Sequence, residues 1–498
     1  MFGERKLTGE ASRLALVALI GLIAVLPIWI PTFPAMCDAP QIAAQVAIYS
    51  QLNDPGFRFS GLFVRHTQTP NLSGYALVYA LRPMMGVVAA CKLAVSGALF
   101  LLLITWALLI AELGGDSRMA LLTVPGFYGF PFVWGFIGFL TAAPIGVIFV
   151  ILALRYFRRP TLFRAVGLAL LLLFVFFCHA MIAAFAAALT GLYAVSVHPT
   201  PRELMRRLLP PVLVLLGAGI WWLRSIAANP ITHKPTEWRI GWDRAADLMI
   251  DVTGWPGEMV AALILVALLA PVLLLTGVRR NLRCWLPVAL CAAIALFAPH
   301  SLLGVDSVYE RYALFMLPCL AIALPPSTPE TNRRATWAVA WVAIFSLAWT
   351  AGVAWRMTVF EDEARGFSTL LREMQPGHRV LALSCNRKSK VFAGTVFLHH
   401  PAWYAALKNG VADPSFACGN VGLVHYRPEK MPAVRFADFE FHPQQFDWRR
   451  DQGSSYRYFV VRSREELGSR LFAGIPQVRL LAHEDEWWLY ENLADDPS

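Results

Sequence analysis

A series of long apolar segments restricts the fold of this 498-residue chain more than any other feature. A helix needs about 20 apolar residues to cross the hydrocarbon core of a bilayer, and about eleven segments here reach or approach that length. The predicted spans are 13–34, 84–111, 119–133, 135–157, 163–178, 180–197, 208–226, 257–278, 284–299, 311–326 and 335–357. Only 15% of the residues are charged and 57% are hydrophobic, which excludes an ordinary soluble protein. The sequence therefore predicts a polytopic α-helical membrane protein.

Clusters of basic residues in the short loops indicate the orientation of these spans. The clusters are Arg5 and Lys6; Arg155, Arg158, Arg159 and Arg164; Arg202, Arg206 and Arg207; Arg279, Arg280 and Arg283; and Arg333 and Arg334. Short arginine-rich loops stay in the cytoplasm, so the N-terminus is predicted inside and the C-terminus outside. The stretch 163–197 can be one span or two, and the flanking arginines favour a hairpin with His179 at its outer tip. Most of the net charge of +10 is explained in this way, without a nucleic-acid partner.

The chain is predicted to contain two domains. Residues 1–357 form the membrane domain, with extracytoplasmic loops at 35–80 and 227–256. After residue 357 the composition becomes more polar. "HRVLALSC" and "YRYFVVR" are typical of strands, "VRLLAHEDEWWLYEN" of a hairpin and "REELGSRLF" of a helix. Residues 358–498 are therefore predicted to form a small extracytoplasmic α/β domain.

Asp38 directly follows the first predicted span and has two interpretations. An Asp followed by Ala-Pro is a favourable helix start, where the carboxylate accepts hydrogen bonds from the first turn. An acid just outside a span also lies where lipid-linked substrates present their phosphates, so Asp38 is a candidate catalytic group. The two roles are compatible, because a capping carboxylate can still face a cavity.

Other polar residues near the outer surface are candidates for substrate binding. Arg65 and His66 in the first loop can bind phosphate or sugar, although solvation is the commoner role of such residues. Lys92 lies within the second predicted span, where an ionisable group indicates function unless it snorkels to the interface. Arg311 lies at the outer end of a later span and is open to the same two interpretations.

The outer loops supply secondary candidates. Asp243, Asp247 and Asp251 recur every four residues, which predicts three carboxylates on one helix face, most simply a solvated face. Trp242 either stacks on a sugar ring or belongs to the interfacial aromatic belt. Asp54 is a further acid in the first loop.

The cysteines and catalytic motifs exclude several other classes. None of the eight cysteines has the spacing of a zinc site, and a disulfide between Cys385 and Cys418 is left open. The sequence contains no P-loop, no GxSxG and no HExxH, which argues against an ATP-driven pump or a lipase.

Two stretches of the first loop, "CDAPQIAAQVAIY" and "TPNLSGYALVYALRP", resemble a bacterial family of multi-span GT-C-like glycosyltransferases. Asp38, Pro40, Ala43 and Pro70-Asn71-Leu72 match the family pattern. The segments "WGFIGFLTAAPIGV", "CHAMIAAF", "HRVLALSC", "FDWRR", "YRYFVVR" and "EWWLY" resemble its later parts. The family's Asn-His pair is Gln41-Ile42 here, its arginine is Gln45, and no second acid adjoins Asp38.

The resemblance implies a GT-C-like fold and a sugar transfer at the outer surface of the bacterial inner membrane. The implied donor is a polyprenyl-phosphate sugar, and the implied general base is Asp38. The implied substrate-binding residues are Arg65, His66, Asn71, Lys92 and Arg311. With a single acid, a divalent metal is possible but not expected, and no other cofactor is expected. The alternative is a non-catalytic membrane protein that binds, moves or scaffolds a lipid-linked saccharide in cell-envelope assembly.

Overall fold

The computed structural model describes residues 2–197, 200–227, 235–326, 332–419, 422–434 and 439–494. Part of the predicted outer loop 227–256, residues 228–234, lies outside these ranges. The helices are α1 (Phe2–Ala24), α2 (Ala39–Gln51), α3 (Ser73–Met85), α4 (Val87–Glu112), α5 (Thr123–Phe127), α6 (Phe130–Trp134), α7 (Ile137–Arg158), α8 (Leu162–Cys178), α9 (Ala180–Val197), α10 (Pro201–Ala227), α11 (Asp243–Thr253), α12 (Glu258–Thr276), α13 (Leu286–Phe297), α14 (Ala313–Ala323), α15 (Asn332–Glu373), α16 (Trp403–Leu407) and α17 (Gly468–Leu471). The strands are β1 (Phe63–Arg65), β2 (Arg379–Ser384), β3 (Val411–Asp413), β4 (Val424–Tyr426), β5 (Tyr458–Arg462), β6 (Val478–Glu484) and β7 (Trp487–Asn492).

The apolar helices confirm a multi-pass membrane protein. Among the described residues, seven helices are long and apolar enough to cross a bilayer, and two shorter apolar helices accompany them at Leu162–Cys178 and Leu282–Phe297. Arginines from three separate clusters meet at one end of this bundle. Arg155 and Arg158 donate to Glu112, Arg207 donates to the Phe157 carbonyl, and Arg279 donates to the carbonyls of Leu113 and Gly114.

One predicted span, 119–133, is not a continuous helix. A 3-10 segment at Ser117–Leu122 is followed by the five-residue helices α5 and α6, because Pro125, Gly129 and Pro131 interrupt the pattern. The segment still passes from the arginine-rich end of the bundle to the opposite end. Gly114 lies beside Arg279, whereas Trp134 contacts the start of α2. Its apolar composition reflects burial inside the bundle, where neighbouring elements can satisfy an irregular backbone.

The stretch 163–197 forms two helices, as the arginine clusters predicted. The break falls at His179, whose backbone is extended. The first loop satisfies the peptide groups that this break exposes. The Leu72 N–H donates to Phe177, Pro70 accepts from the Ala180 N–H, and the Ser73 hydroxyl donates to Cys178. The segment "PNLS" therefore closes a gap in the bundle on the first-loop side.

The tail contains a five-stranded mixed sheet with the strand order β3-β2-β5-β7-β6. Strands β3, β2 and β5 are parallel, and the antiparallel β6–β7 hairpin extends the edge. The predicted strands and hairpin are confirmed. The predicted helix over "REELGSRLF" shrinks to Gly468–Leu471, because the Glu466 carboxylate accepts the N–H groups of Gly468 and Ser469 and so starts the helix late. Cys385 and Cys418 are not joined by a disulfide.

Helix α15 and the first loop both attach the tail domain to the membrane domain. Helix α15 is continuous over 42 residues, about 63 Å, so it crosses the membrane and extends well beyond it. The predicted boundary at residue 357 therefore lies within this helix. The first loop supplies the second attachment, where β1 pairs antiparallel with β4 in a separate two-stranded sheet.

Candidate active site

Asp38 is held at the start of α2 by the end of the broken segment that contains α6. The Asp38 N–H donates to the Trp134 carbonyl at 2.9 Å, and the Cys37 N–H donates to Val133 at 3.0 Å. Gly135 makes this approach possible. It has φ +88°, and a Cβ added there would lie 2.8 Å from the Asp38 nitrogen. A glycine is therefore required beside Asp38.

The Asp38 carboxylate does not cap its own helix, so the capping interpretation is wrong for the side chain. Its backbone has φ −92° and ψ −10°, a helical conformation rather than the extended one that directs a capping side chain back to the first turn. Asp38 is only 7% exposed. Its Oδ1 instead accepts a hydrogen bond from His399 Nδ1 at 3.0 Å.

His399 belongs to the tail domain and joins two carboxylates. Its Nε2 donates to Glu440 Oε2 at 3.1 Å, and Cys37 Sγ lies 3.7 Å from Nδ1. Burial alone would lower the pKa of His399, but the neighbouring thiol and the two carboxylates raise that pKa well above its usual range. Burial also raises the pKa of the Cys37 thiol. All four side chains are buried at the contact between the first loop and the tail domain.

A narrow cleft adjoins this cluster at the carboxyl ends of β2 and β3. Its polar lining comprises Gln41, Ser384, His399, Asp413 and Glu440. The carboxyl ends of parallel strands are the usual position of ligand sites in α/β sheets. The cleft therefore lies between the tail sheet and the start of α2, next to the histidine that contacts Asp38.

Gln41 and Gln45 hold the tail domain against α2. Gln41 Nε2 donates to the Pro414 carbonyl at 2.7 Å, and its Oε1 accepts the Phe416 N–H at 3.1 Å. Gln45 Oε1 accepts the Val424 N–H at 2.9 Å. Both side chains therefore satisfy buried peptide groups of the tail domain.

Two of the predicted phosphate-binding residues lie at different depths near the first loop. Arg311 is half-buried, lies 3.6 Å from the centre of the Phe136 ring and interacts electrostatically with Asp38. It also donates to the carbonyls of Ser307 and Asp306. Lys92 is buried and donates to the Pro31 carbonyl at 2.5 Å. Arg311 is thus the predicted cation that the structure brings into the electrostatic environment of Asp38.

The other three candidates for substrate binding, Arg65, His66 and Asn71, lie in the first loop, and each packs against other residues of the protein. Arg65 is exposed over the Tyr49 ring. The His66 ring stacks on His425 of the tail at 3.8 Å and donates to Gly422. Asn71 lies against Gly138, and its buried Oδ1 has no partner among the described residues.

The secondary candidates lie outside the Asp38 cluster. Asp54 is exposed and accepts the Gly56 N–H in a local turn. Trp242 is 96% exposed, and Asp243 begins α11. The predicted solvated face of α11 is only partly correct, because Asp251 is buried and burial raises its pKa well above the usual range.

His399 and Glu440 were not identified from the sequence. One signal was present, since "HH" at 399–400 occurs between a strand and a helix of a chain with only 11 histidines. Nothing local connects that pair to Asp38, which is 361 residues away. Cys37 was visible beside Asp38, but it has no partner at metal-site spacing.

Comparisons with solved structures identify the class of fold. The crystal structure of ArnT from Cupriavidus metallidurans bound to undecaprenyl phosphate superimposes with a TM-score of 0.58 at 12% identity, covering 99% of both chains. The apo form of the same protein gives a TM-score of 0.56. The mycobacterial arabinofuranosyltransferase AftD gives 0.52 at 15% identity, with 97% of this chain matching 40% of that one. No protein-family model and no curated protein matches the chain.

The fold is therefore of the GT-C type, as the first-loop resemblance implied. The likeness to ArnT extends over the membrane bundle and the tail domain, because it covers both chains almost completely. At this level of identity it defines the fold alone.

Proposed function

We propose that the protein is a GT-C-type glycosyltransferase of the bacterial inner membrane, with the N-terminus in the cytoplasm and the tail domain outside. It transfers a sugar from a polyprenyl-phosphate donor to an extracytoplasmic acceptor. The observation that carries the proposal is the Asp38 carboxylate, which is buried beside the first span and bonds to the tail domain rather than to its own helix. The fold shared with ArnT, which was solved with undecaprenyl phosphate, supports a lipid-linked donor.

Asp38 acts as the general base in this proposal. Its Oδ1 is held by His399, which leaves Oδ2 to take the proton of the acceptor hydroxyl. The acceptor oxygen attacks the anomeric carbon as the bond from that carbon to the phosphate oxygen breaks, and the configuration inverts. A positioned general base contributes about 10²- to 10⁴-fold to the rate.

The leaving polyprenyl phosphate carries negative charge that cations must stabilise. Arg311 is suited to this role, because its guanidinium interacts electrostatically with Asp38 and lies near the outer end of the bundle. Lys92 is suited to hold the same phosphate deeper along the first span, where Trp29 and Pro31 surround its amine.

Transfer of labelled sugar from a panel of polyprenyl-phosphate donors, in membranes that contain the protein, tests the proposal. We expect Asp38→Asn to lower the rate by about 10²-fold or more, since asparagine keeps the size of the side chain and removes the base. Asp54→Asn is the matched control, because Asp54 is an exposed acid of the same loop.

Equal transfer by wild type and Asp38→Asn would contradict the role of Asp38. If Asp54→Asn lost transfer and Asp38→Asn retained it, Asp54 and not Asp38 would be the base. Absence of transfer from every donor would favour the non-catalytic alternative.

A further inference from the structure

The geometry points to a divalent metal site, best suited to Zn²⁺, whose ligands are Cys37 Sγ, Asp38 Oδ1 and His399 Nδ1. These three atoms lie within 4.8 Å of one another, and all three residues are buried. The ligands come from two distant parts of the chain, so the site would form only when the tail domain docks on the first loop. Metal binding as such does not depend on the proposed transfer reaction.

The spacing of the three atoms fits one ion. Zinc bonds are about 2.3 Å to sulfur and about 2.0–2.1 Å to nitrogen and oxygen. At tetrahedral angles, the sulfur and nitrogen ligands of one ion are therefore about 3.6 Å apart, and its nitrogen and oxygen ligands are about 3.4 Å apart. The corresponding separations here are 3.7 Å for Cys37 Sγ to His399 Nδ1 and 3.0 Å for Asp38 Oδ1 to the same nitrogen. The third separation, between Cys37 Sγ and Asp38 Oδ1, is at most 4.8 Å, and binding of the ion would bring these two atoms to about 3.6 Å.

Glu440 supplies the outer partner that a metal-binding histidine requires. Its Oε2 accepts a hydrogen bond from His399 Nε2 at 3.1 Å. This bond holds the proton on Nε2, so a metal ion would replace only the Nδ1 proton that His399 donates to Asp38, and the freed lone pair would face Cys37 and Asp38. A carboxylate behind the ligating imidazole is the usual arrangement in zinc sites, where it orients the ring and increases its basicity.

The types of ligand select the metal. A thiolate and an imidazole favour Zn²⁺ over Mg²⁺ and Ca²⁺, which prefer oxygen ligands alone. A divalent ion would also compensate the negative charge of Asp38 and Glu440, which are both buried. The first loop by itself offers only Cys37 and Asp38 as ligands, and the third ligand, His399, comes from the tail domain.

Three protein ligands are the number found at catalytic zinc sites, which keep a fourth position for an oxygen ligand. Coordination through Oδ1 leaves Asp38 Oδ2 available as the base. The ion would hold this carboxylate in place and, at its fourth position, bind water or a substrate oxygen. This catalytic role of the ion rests on the proposed function, whereas binding of the ion does not.

Metal analysis of the full-length protein tests the site. The protein is purified in detergent through a tag without histidine, in buffers freed of trace metals, and its metals are counted by mass spectrometry. We expect about one zinc ion per chain, the occupancy of a three-ligand site. Cys37→Ser and His399→Asn should lose most of it. In a chelator competition, Glu440→Gln should weaken zinc binding by about 10- to 100-fold.

Matched controls are available in the same tail domain. Cys385→Ser removes a thiol, and His483→Asn removes an exposed imidazole that stacks on Trp488. Neither residue belongs to the cluster, so both variants should retain zinc. Replacement of the metal in the wild-type protein by Co²⁺ should give a thiolate-to-cobalt charge-transfer absorption, a readout that does not depend on whether a variant folds.

Wild-type protein that holds no metal and gives no cobalt absorption would overturn the inference and leave a hydrogen-bonded Asp38–His399–Glu440 chain. Zinc retained by both Cys37→Ser and His399→Asn would also overturn it, because the ion would then be bound elsewhere. Zinc present in a protein that transfers no sugar would uphold the metal site while contradicting the proposed function.

Discussion

At the scale of single residues, His66 and His425 form a stacked pair between the first loop and the tail. Their ring centres are 3.8 Å apart, and His425 is only 8% exposed. Burial, and to a lesser extent the neighbouring His66, lower the pKa of His425 from 6.5 to about 3. Burial also lowers the pKa of His66. The pair is therefore neutral in the folded protein, and protonation would separate the two rings.

Acid should destabilise this contact. Below pH 6.5 the unfolded chain takes up a proton on His425 that the folded protein cannot bind until about pH 3, so stability is lost as the pH falls through this window. The slope for one such group is at most about 1.4 kcal/mol per pH unit. We expect His425→Phe to reduce the loss of thermal stability between about pH 6 and pH 4. The exposed His483→Phe is the control, and an unchanged slope in His425→Phe would contradict the assignment.

At the scale of elements, the broken segment from Ser117 to Trp134 positions Asp38. Its last carbonyls accept the N–H groups of Cys37 and Asp38, and Gly135 ends it with a positive φ. Val133 and Trp134 are the last residues of α6, and the last carbonyls of a helix have no partner within it, so these two are free to accept the N–H groups of the first loop. The end of the broken segment therefore positions the start of α2.

Gly135→Ala should lower the thermal stability of the purified protein. A non-glycine residue at φ +88° is strained, and its Cβ would lie 2.8 Å from the Asp38 nitrogen, for a cost of about 1–3 kcal/mol. Gly219→Ala in α10 is the control, since no atom lies within 4 Å of its added Cβ and alanine favours a helix interior. An equal unfolding temperature for Gly135→Ala and wild type would mean that the backbone at Asp38 can rearrange freely.

At the scale of the whole molecule, the tail domain and the first loop complete each other. Gln41 and Gln45 satisfy tail peptides, β1 pairs with β4, and His399 reaches Asp38. Helix α15 connects the same domain to the membrane bundle, where Arg356 donates to the carbonyls of Val391 and Gly254. The candidate site is thus a property of the docked pair of domains.

Gln41→Leu should loosen this docking. It removes the hydrogen bonds that Gln41 makes to the Pro414 carbonyl and the Phe416 N–H in a buried contact, at about 1–3 kcal/mol for each bond. We expect a lower unfolding temperature and faster limited proteolysis of the tail domain. Gln51→Leu is the control, because the bond of Gln51 to Asn409 is exposed and its loss should change stability by about 0.5 kcal/mol or less. Equal proteolysis of the two variants would contradict a docking role for Gln41.

The sequence by itself determined the membrane class, most of the helices, the two-helix stretch around His179 and the strands of the tail, because each depends on local hydrophobic length or period. It also singled out Asp38. Only the tertiary structure decided what Asp38 contacts. His399 and Glu440 lie 361 and 402 residues after Asp38, and no local pattern encodes contacts over such distances. The broken segment 117–134 was missed for a related reason, since burial within a bundle and exposure to lipid select the same apolar residues.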